Sequence, residues 1–370
     1  MIYDLAFTRL TGFNLDTALH LFRKLGGGRG VYEHRHNLRD VLPDCSERLI
    51  AALQDWSTPL ARAEQELRFT ESHGIKVLRL GGEGYPQRLE DCPDAPIVLY
   101  YLGNADLNQQ RIINIVGTRR CTAYGQDIIR RFTADLKREC GEVLVVSGLA
   151  YGVDINAHRQ ALDCGLQTVG VLAHGLDEIY PPRHRDTATQ MISHGGLLTE
   201  YMSETFIDKM NFVRRNRIVA GISDATILVE SAAKGGGLIT TRIAQDYGRS
   251  VFAFPGPVGA MYSEGCNNLI RDNGAQLITS AADLIAAMGW ESASQLAHAR
   301  RNGIERSFFP ELTAEEQLIV NALDRCGDLH INHLSVKTNI PAGRLTSLTF
   351  QMEMKGVIKS LAGGAYHLLR

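Results

Sequence analysis

Short apolar segments alternate with segments of helical periodicity between residues 105 and 290, and this alternation constrains the fold more than any other feature of the chain. Alternating strands and helices require right-handed crossovers, and strands that are apolar throughout are typical of sheets covered on both faces. The segment therefore predicts an α/β fold with a doubly wound parallel sheet. Its predicted strands are Ile112–Val116, Val143–Val146, Thr168–Leu172, Leu197–Thr199, Ala225–Val229, Val251–Phe254 and Gln276–Ile278.

The regions on either side of the sheet are predicted to be mainly helical. Residues 1–80 form a small N-terminal helical domain, interrupted at Gly26-Gly27-Gly28. That run fits a tight turn, because glycine tolerates positive φ, or a hairpin that touches a DNA backbone, and the tight turn is favoured. The sheet domain is predicted over 81–290 and a linker over 291–310. Three helices and a two-stranded hairpin then predict a winged helix over 311–370.

Composition limits the classes of protein that fit. The length of 370 residues suits two or three domains, and no apolar run approaches the roughly 18 residues needed to cross a bilayer. The start of the chain has no signal-peptide pattern, and the seven cysteines are scattered without a C-x-x-C pair. We therefore expect a cytoplasmic protein without membrane association, disulfide scaffold, metal site or cofactor.

Charge is spread unevenly along the chain. Overall, 39 Lys and Arg nearly balance 41 Asp and Glu, for a formal net charge of -2. Between Arg111 and Arg138, however, seven basic residues stand against two acidic ones. A local excess of this kind predicts an anionic ligand.

Three loops at the predicted carboxyl ends of strands are expected to bind that ligand, since ligands of doubly wound sheets lie at this edge. Main-chain N–H groups at glycine turns and helix N-termini favour anions, and a guanidinium can hold a phosphate in a bidentate fork. One such loop alone would be only a tight turn, but three on one edge suit a polyphosphate chain or a nucleotide. The candidates are Gly117, Thr118 and Arg119 after the first strand, Ser147 and Gly148 after the second, and Gly236 and Gly237 after the fifth.

Familiar nucleotide and catalytic signatures are missing. No G-x-G-x-x-G follows the first strand, and the P-loop consensus occurs nowhere in the chain. Ser147 lacks the glycine two places earlier that a G-x-S-x-G elbow needs. His158, Glu200 and Glu230 could act in catalysis, but such residues at strand ends more often tie down loops.

The segment 209–221 combines cations with an aromatic residue. A lysine that holds a phosphate beside an aromatic face that stacks on a base is typical of single-strand binding. Lys209 and Phe212 are three residues apart and would share a helix face. Alternatively, Phe212 lies in the core and the arginines pair with Glu200, Glu204 or Glu230. For Arg215 and Arg217 both interpretations stay open, whereas for Lys209 the ligand is favoured.

These motifs together make the chain resemble the DNA-processing protein A family (DprA, also called Smf) over essentially its whole length. The matching blocks are Gly84-Tyr85-Pro86, Ile97-Val98-Leu99-Tyr100, Ile115-Val116-Gly117-Thr118-Arg119, Ser147-Gly148-Leu149-Ala150-Tyr151-Gly152-Val153-Asp154, Ala157-His158, Gly175-Leu176-Asp177, Tyr180-Pro181, Phe212, Arg215-Asn216-Arg217, Val229-Glu230, Leu238-Ile239-Thr240, Phe254-Pro255-Gly256 and Asn268-Leu269-Ile270.

The resemblance implies a Rossmann-like sheet domain between a SAM-like helical domain and a winged helix. It also implies a non-catalytic protein of natural transformation, since this family protects incoming single-stranded DNA and loads the RecA recombinase onto it, working as a homodimer. By this resemblance Arg119, the Gly117 and Thr118 amides, Ser147, Gly148 and Lys209 would hold phosphates and Phe212 would contact a base.

One departure concerns the third loop. The family usually has Ser-Gly-Ser or Ser-Gly-Ala before Leu-Ile-Thr, whereas this chain has Gly235-Gly236-Gly237, which removes a hydroxyl donor. The role of this loop is therefore open.

The main alternative is an enzyme, a nucleotide phosphoribohydrolase similar to the LOG proteins, which share the fold. Their motif G-G-x-G-T-x-x-E supplies a glutamate for glycosidic cleavage, but here Leu238 replaces the third glycine and Arg242 the glutamate. Loss of the acid argues against this chemistry, although Glu230 could substitute. A third class is an interaction scaffold in which the winged helix binds a protein. Arg344 and Lys355 are the only basic residues near its recognition helix, so binding of this helix in a groove of duplex DNA has weak support.

Overall fold

The computed structural model describes residues 1–290, 312–327, 329–355, 357–361 and 364–368. The linker predicted over 291–310 lies outside the described residues. The chain divides into two compact units, Met1–Ala293 and Ser294–Arg370.

Six helices open the first unit and pack around an aromatic cluster. Phe7 stacks on Phe22 and Trp56, with ring centroids 6.4 and 6.1 Å away. Asn14 and Ser46 cap two of the helices, each accepting a hydrogen bond from a main-chain N–H three residues on. The helices are α1 (Ile2–Arg9), α2 (Leu15–Lys24), α3 (Gly28–Glu33), α4 (Leu38–Val41), α5 (Glu47–Ala52) and α6 (Ser57–Ser72).

The glycine run between α2 and α3 forms a tight turn against the rest of the unit. Gly26 and Gly27 have φ of 74° and 124°, a region that favours glycine. The N–H of Gly28 donates to the buried Asp4 carboxylate over 2.8 Å, and the Arg79 guanidinium donates to the carbonyl of Gly26. These contacts support the tight turn rather than a hairpin that offers its amides to DNA.

A nine-stranded sheet forms the centre of the unit, in the order β1-β2-β6-β5-β4-β3-β7-β8-β9. The pairs from β6 through β9 are parallel, which confirms the predicted α/β doubly wound class. The strands are β1 (Lys76–Arg79), β2 (Val98–Gly103), β3 (Ile112–Val116), β4 (Leu144–Ser147), β5 (Thr168–Val171), β6 (Gly195–Thr199), β7 (Ala225–Leu228), β8 (Ser250–Ala253) and β9 (Gln276–Leu277).

Two antiparallel strands were not among those predicted. β1 pairs with β2, and β2 pairs with β6. The predicted domain boundary at residue 80 therefore falls between two hydrogen-bonded strands, and the division into domains 1–80 and 81–290 stays a prediction.

Helices cover both faces of the sheet, as the apolar strands require. In α8 the residues Ile129, Phe132 and Leu136 are buried. The helices of this part are α7 (Gln87–Glu90), α8 (Ala123–Cys140), α9 (Val153–Asp163), α10 (Arg185–Ser193), α11 (Lys209–Gly221), α12 (Gly237–Asp246), α13 (Glu264–Arg271) and α14 (Ala281–Ala287).

The second unit has its own core, in which Ile319, Leu334, Leu345 and Met352 are buried. Its strands form a sheet of order β10-β12-β11. This element order agrees with the predicted helices and hairpin, and the assignment as a winged helix stays a prediction. None of the helices in the described ranges combines the length and apolar character of a membrane span. The elements are α15 (Ala314–Cys326), β10 (Leu329–His330), α16 (Ile331–Thr338), α17 (Ala342–Met354), β11 (Ile358–Leu361) and β12 (Ala365–Leu368).

Two buried histidines fix the loop after β4. Leu149 has a φ of 54°, which is costly for a residue with a Cβ. Its N–H donates to Nε2 of His158 over 3.3 Å, and its carbonyl accepts from Nδ1 of His184 over 2.8 Å. Because the Thr168 hydroxyl donates to the carbonyl of Val145, Nδ1 of His158 must donate to Thr168, so the ring is neutral.

Acid should therefore destabilise the protein through His158. Burial lowers the pKa of His158 to about 3, whereas the unfolded chain protonates it near its ordinary value of about 6.5. The stability that depends on the neutral ring is present above about pH 6.5 and falls by roughly 1.4 kcal/mol per pH unit below it.

The control is His158→Gln, which keeps an acceptor for Leu149 but does not titrate. Urea unfolding at several pH values should show wild type losing stability faster than the variant between about pH 6.5 and 4. A stability difference that is independent of pH would contradict the neutral, buried assignment.

Candidate nucleic-acid interface

A cleft of about 690 Å³ opens at the carboxyl edge of the sheet, where the loops after β3, β4 and β7 meet the start of α11. From β3 the chain continues to β4 on one side, and from β7 it continues to β8 on the other, so the cleft lies at the switch point of the sheet. Ten of the twelve predicted site residues line it: Gly117, Thr118, Arg119, Gly148, Lys209, Phe212, Arg215, Asn216, Gly236 and Gly237.

The loop after β3 is held by Glu230 and exposes Arg119. The N–H of Thr118 donates to the carbonyl of Glu230 over 2.7 Å. The Glu230 carboxylate accepts from the N–H and hydroxyl of Thr122, over 2.8 and 2.6 Å, and so fixes the start of α8. Glu230 therefore ties down this loop, as the non-catalytic interpretation expects.

The loop after β4 differs from the prediction. Ser147 is fully buried and its hydroxyl donates to the carbonyl of Ile115 over 2.7 Å, so it has no free donor for a phosphate. The N–H groups of Gly148 and Ala150 donate to the carboxylate of Asp154, whose pKa is raised by burial. An internal anion thus occupies the amides that were expected to hold a phosphate.

Arg215 is engaged inside the protein, which corrects its assignment as a DNA contact. Its side chain is 3% exposed and donates to the carbonyls of Gly148 and Val171. A Cβ at position 148 would overlap the guanidinium, so glycine is required there. Asn216 lines the cleft but accepts from Nε of Arg215 over 3.3 Å.

Arg217 is also engaged and does not line the cleft. It pairs with the partly buried Glu200 and donates to the carbonyl of Asp94 over 2.7 Å. Arg217 therefore pairs with a glutamate as the alternative interpretation expects, whereas Arg215 is internal but bonds carbonyls and none of the three expected glutamates. His158 and Glu200, like Glu230, hold protein groups.

The loop after β7 keeps free donors despite its missing hydroxyl. The helix α12 begins at Gly237 with Gly236 as its N-cap, and no described group accepts from either N–H. A Cβ on Gly237 would lie 2.7 Å from Cδ1 of Leu228 and 3.1 Å from Cα of Gly117. Only glycine fits between these loops, and the two N–H groups lie at the positive end of the helix dipole.

Two unpaired cations lie beside an aromatic pair. Arg119 and Lys209 are exposed, and within the described ranges neither forms an ion pair with a carboxylate. The Arg119 guanidinium lies 5.7 Å from the centroid of the half-buried Phe212. The ring of Tyr180 meets Phe212 edge-on, with centroids 5.9 Å apart.

Sequence reasoning did not assign Tyr151 or Tyr180 to the site. Both line the cleft and are more than 40% exposed. Both stand in blocks of the family resemblance, Tyr151 in Ser147–Asp154 and Tyr180 in Tyr180-Pro181, and these blocks were the available signal.

Three of the seven basic residues between Arg111 and Arg138 form local pairs on α8. Arg130 and Arg131 both pair with Asp127, and Arg138 pairs with Asp135 over 2.6 Å. Of the seven, Arg119 lines the cleft, so the basic excess indicated the ligand mainly through residues that the cleft does not use. No group of three or more His, Cys, Asp or Glu that could hold a metal occurs in the part of the chain that the structure describes.

Comparison with known proteins finds relatives in sequence and in structure. Protein Smf from Synechocystis sp. is 39% identical over 229 residues, which cover 60% of this chain and 57% of that protein. The chain thus spans little more than half the length of this relative.

Two solved structures share the fold. The crystal structure of DNA processing protein A from Streptococcus pneumoniae matches with a TM-score of 0.58 and 29% identity, covering 75% of this chain and 98% of that one. The homologue from Helicobacter pylori, studied for its mode of binding single-stranded DNA, matches with a TM-score of 0.52 and 29% identity over 58% of this chain and 95% of that one. A family model described as DNA recombination-mediator protein A matches residues 76–289. Because that match covers more than half of the chain, this protein belongs to the DNA recombination-mediator protein A family, whose relatives carry the names DprA and Smf.

Proposed function

We propose that this protein binds single-stranded DNA in the cleft and acts in DNA processing without catalysing a reaction. The observation that carries the proposal is the pair of unpaired cations, Arg119 and Lys209, which line the same cleft as the half-buried Phe212 ring. The cations suit phosphates and the ring suits a base, which is the combination found in single-strand binding sites. The free N–H groups of Gly236 and Gly237 add a second anion site.

A single strand fits this geometry better than a duplex. The cleft of about 690 Å³ is of the size that takes small ligands, hence a nucleotide or two of a chain. A base can reach the face of Phe212 only when it is unpaired. The H. pylori relative, studied for its binding of single-stranded DNA, supports the same choice.

The wider role rests on the family. We infer that the protein receives single strands during natural transformation, delivers them to the RecA recombinase and works as a homodimer in the cytoplasm. The family description as a recombination mediator supports the delivery step.

The second unit lacks free cations on its predicted recognition helix. Arg344 pairs with Glu315 over 2.8 Å, and Lys355 pairs with Glu316 over 2.6 Å. Reading of a duplex groove needs cations that are available to DNA. We therefore assign this unit to a protein contact.

Removing Arg119 or Lys209 should weaken the binding of single-stranded DNA and make that binding less dependent on salt concentration. Each lost phosphate contact should reduce the slope of log K against log salt by about 0.7, because fewer counterions are released. Arg119→Ala and Lys209→Ala should each show this reduction in oligo(dT) titrations. The control Arg131→Ala removes an exposed arginine that is paired with Asp127 and should leave the slope unchanged. Equal slopes in all four proteins would contradict the assignment of these cations.

Removing the aromatic ring should weaken binding without this salt signature. Phe212→Ala should cost on the order of 1–3 kcal/mol, because a base loses its stacking partner. The matched control is Phe69→Ala, since Phe69 is also half-buried but packs on His73, 4.4 Å away between centroids. A loss that appears equally in both variants would indicate a general effect on the fold rather than stacking.

The rival phosphoribohydrolase predicts release of a free base from nucleoside monophosphates. Asp154 is the carboxylate that lines the cleft, and it is engaged by two main-chain N–H groups. We expect that chromatography will detect no free base when the protein is incubated with nucleoside monophosphates. Release by the wild type that Asp154→Asn abolishes would support the enzyme instead.

A further inference from the structure

Exposed apolar and basic side chains lie on the outer face of α11 and in the segment just before it, next to the cleft. We call Met210 and Arg214 of α11, together with Phe206 of the preceding segment, the outer stripe. Phe206 is 91% exposed and Met210 is 56% exposed, which is unusual for large apolar side chains, and Arg214 is also exposed. None of the three lines the cleft.

The outer stripe is continuous with the cleft. Met210 and Arg214 are four residues apart and so lie one above the other on the helix. Lys209 and Val213, on the adjoining face, line the cleft. The buried residue Val219 lies on the opposite side of α11. A chain leaving the cleft over Lys209 and Val213 therefore meets the stripe next.

No group of the described chain neutralises the stripe. Arg214 forms no ion pair with any described carboxylate. The nearby Asp208 caps the helix, accepting from the N–H of Met210 over 2.6 Å. The stripe thus offers a cation and two apolar surfaces.

We propose that the outer stripe is a second subsite for the same DNA strand, which rests on the proposed function of the cleft. Phe206 and Met210 contact bases as the strand leaves the cleft, and Arg214 binds a phosphate. At about 1.5 Å per residue, Met210 and Arg214 are about 6 Å apart along the helix, which is enough for a further nucleotide.

Charge favours a polyanion over a second copy of this chain as the occupant. The exposed cations of α11 are Lys209 and Arg214, and the helix has no acidic residue. In a two-fold interface the same patch meets itself, so these two cations would face their own copies. A phosphodiester chain instead supplies the opposite charge together with bases for the apolar side chains.

Oligonucleotide length tests the proposal. The triple variant Phe206→Ala/Met210→Ala/Arg214→Ala and the wild type are titrated with oligo(dT) of about six and about 20 nucleotides. We expect the affinity for the long strand to fall at least about tenfold and the affinity for the short strand to change little. The salt slope should fall by about 0.7 for the long strand only.

The control is Met261→Ala/Arg131→Ala, which removes an exposed methionine and an exposed, paired arginine elsewhere. It should bind both lengths like the wild type. If the triple variant also binds both lengths like the wild type while Arg119→Ala loses affinity for both, the second subsite is wrong and the proposed function of the cleft is retained. If Arg119→Ala also binds normally, the proposed function fails as well.

A second copy on the stripe would give a different result. The triple variant would then lose both lengths equally and sediment as a smaller species than the wild type. That outcome would overturn the second subsite and identify the stripe as an interface between copies.

Discussion

The parallel pairing of β3 with β7 is the constraint on which the site depends. The chain leaves these neighbouring strands in opposite directions across the sheet, so the loops after them diverge and leave a cleft. The same loops are joined by the hydrogen bond from Thr118 to Glu230 and by the contact of Gly237 with Gly117. A side chain in place of Gly237 would push apart the segments that present Arg119 and the start of α12.

Which cations are free follows from packing rather than from residue type. Four basic residues lie within nine positions of α11, but Arg215 and Arg217 are engaged by main-chain carbonyls and by the partly buried Glu200 carboxylate. A guanidinium taken from water needs such partners, because an unpaired buried charge is costly. Lys209 stays exposed at the first turn, where no strand covers it. Packing therefore determines which cations of α11 remain available to a ligand.

The fold was largely predictable because its signals are local. The alternation of apolar strands and helical stripes identified the seven strands from β3 to β9, since β3 to β7 are buried on both faces, although the two residues of β9 are exposed. The strands β1 and β2 were not predicted, because β1 mixes Lys76 and Arg79 with apolar residues and β2 follows a loop without helical spacing. The candidate site was predictable as a set of loops on one edge. The hydrogen-bond partners of Ser147 and Arg215 were not, because they come from residues 32 and 67 positions away in the sequence.

The carboxylate of Asp154 has a wider consequence for the choice of ligand. In doubly wound proteins a helix N-terminus at the carboxyl edge of the sheet is a ready site for a phosphate group. Here the chain supplies its own negative group at the N-terminus of α9, and the position is taken before any ligand arrives. A ligand in the cleft therefore has to place its negative groups at the other loops.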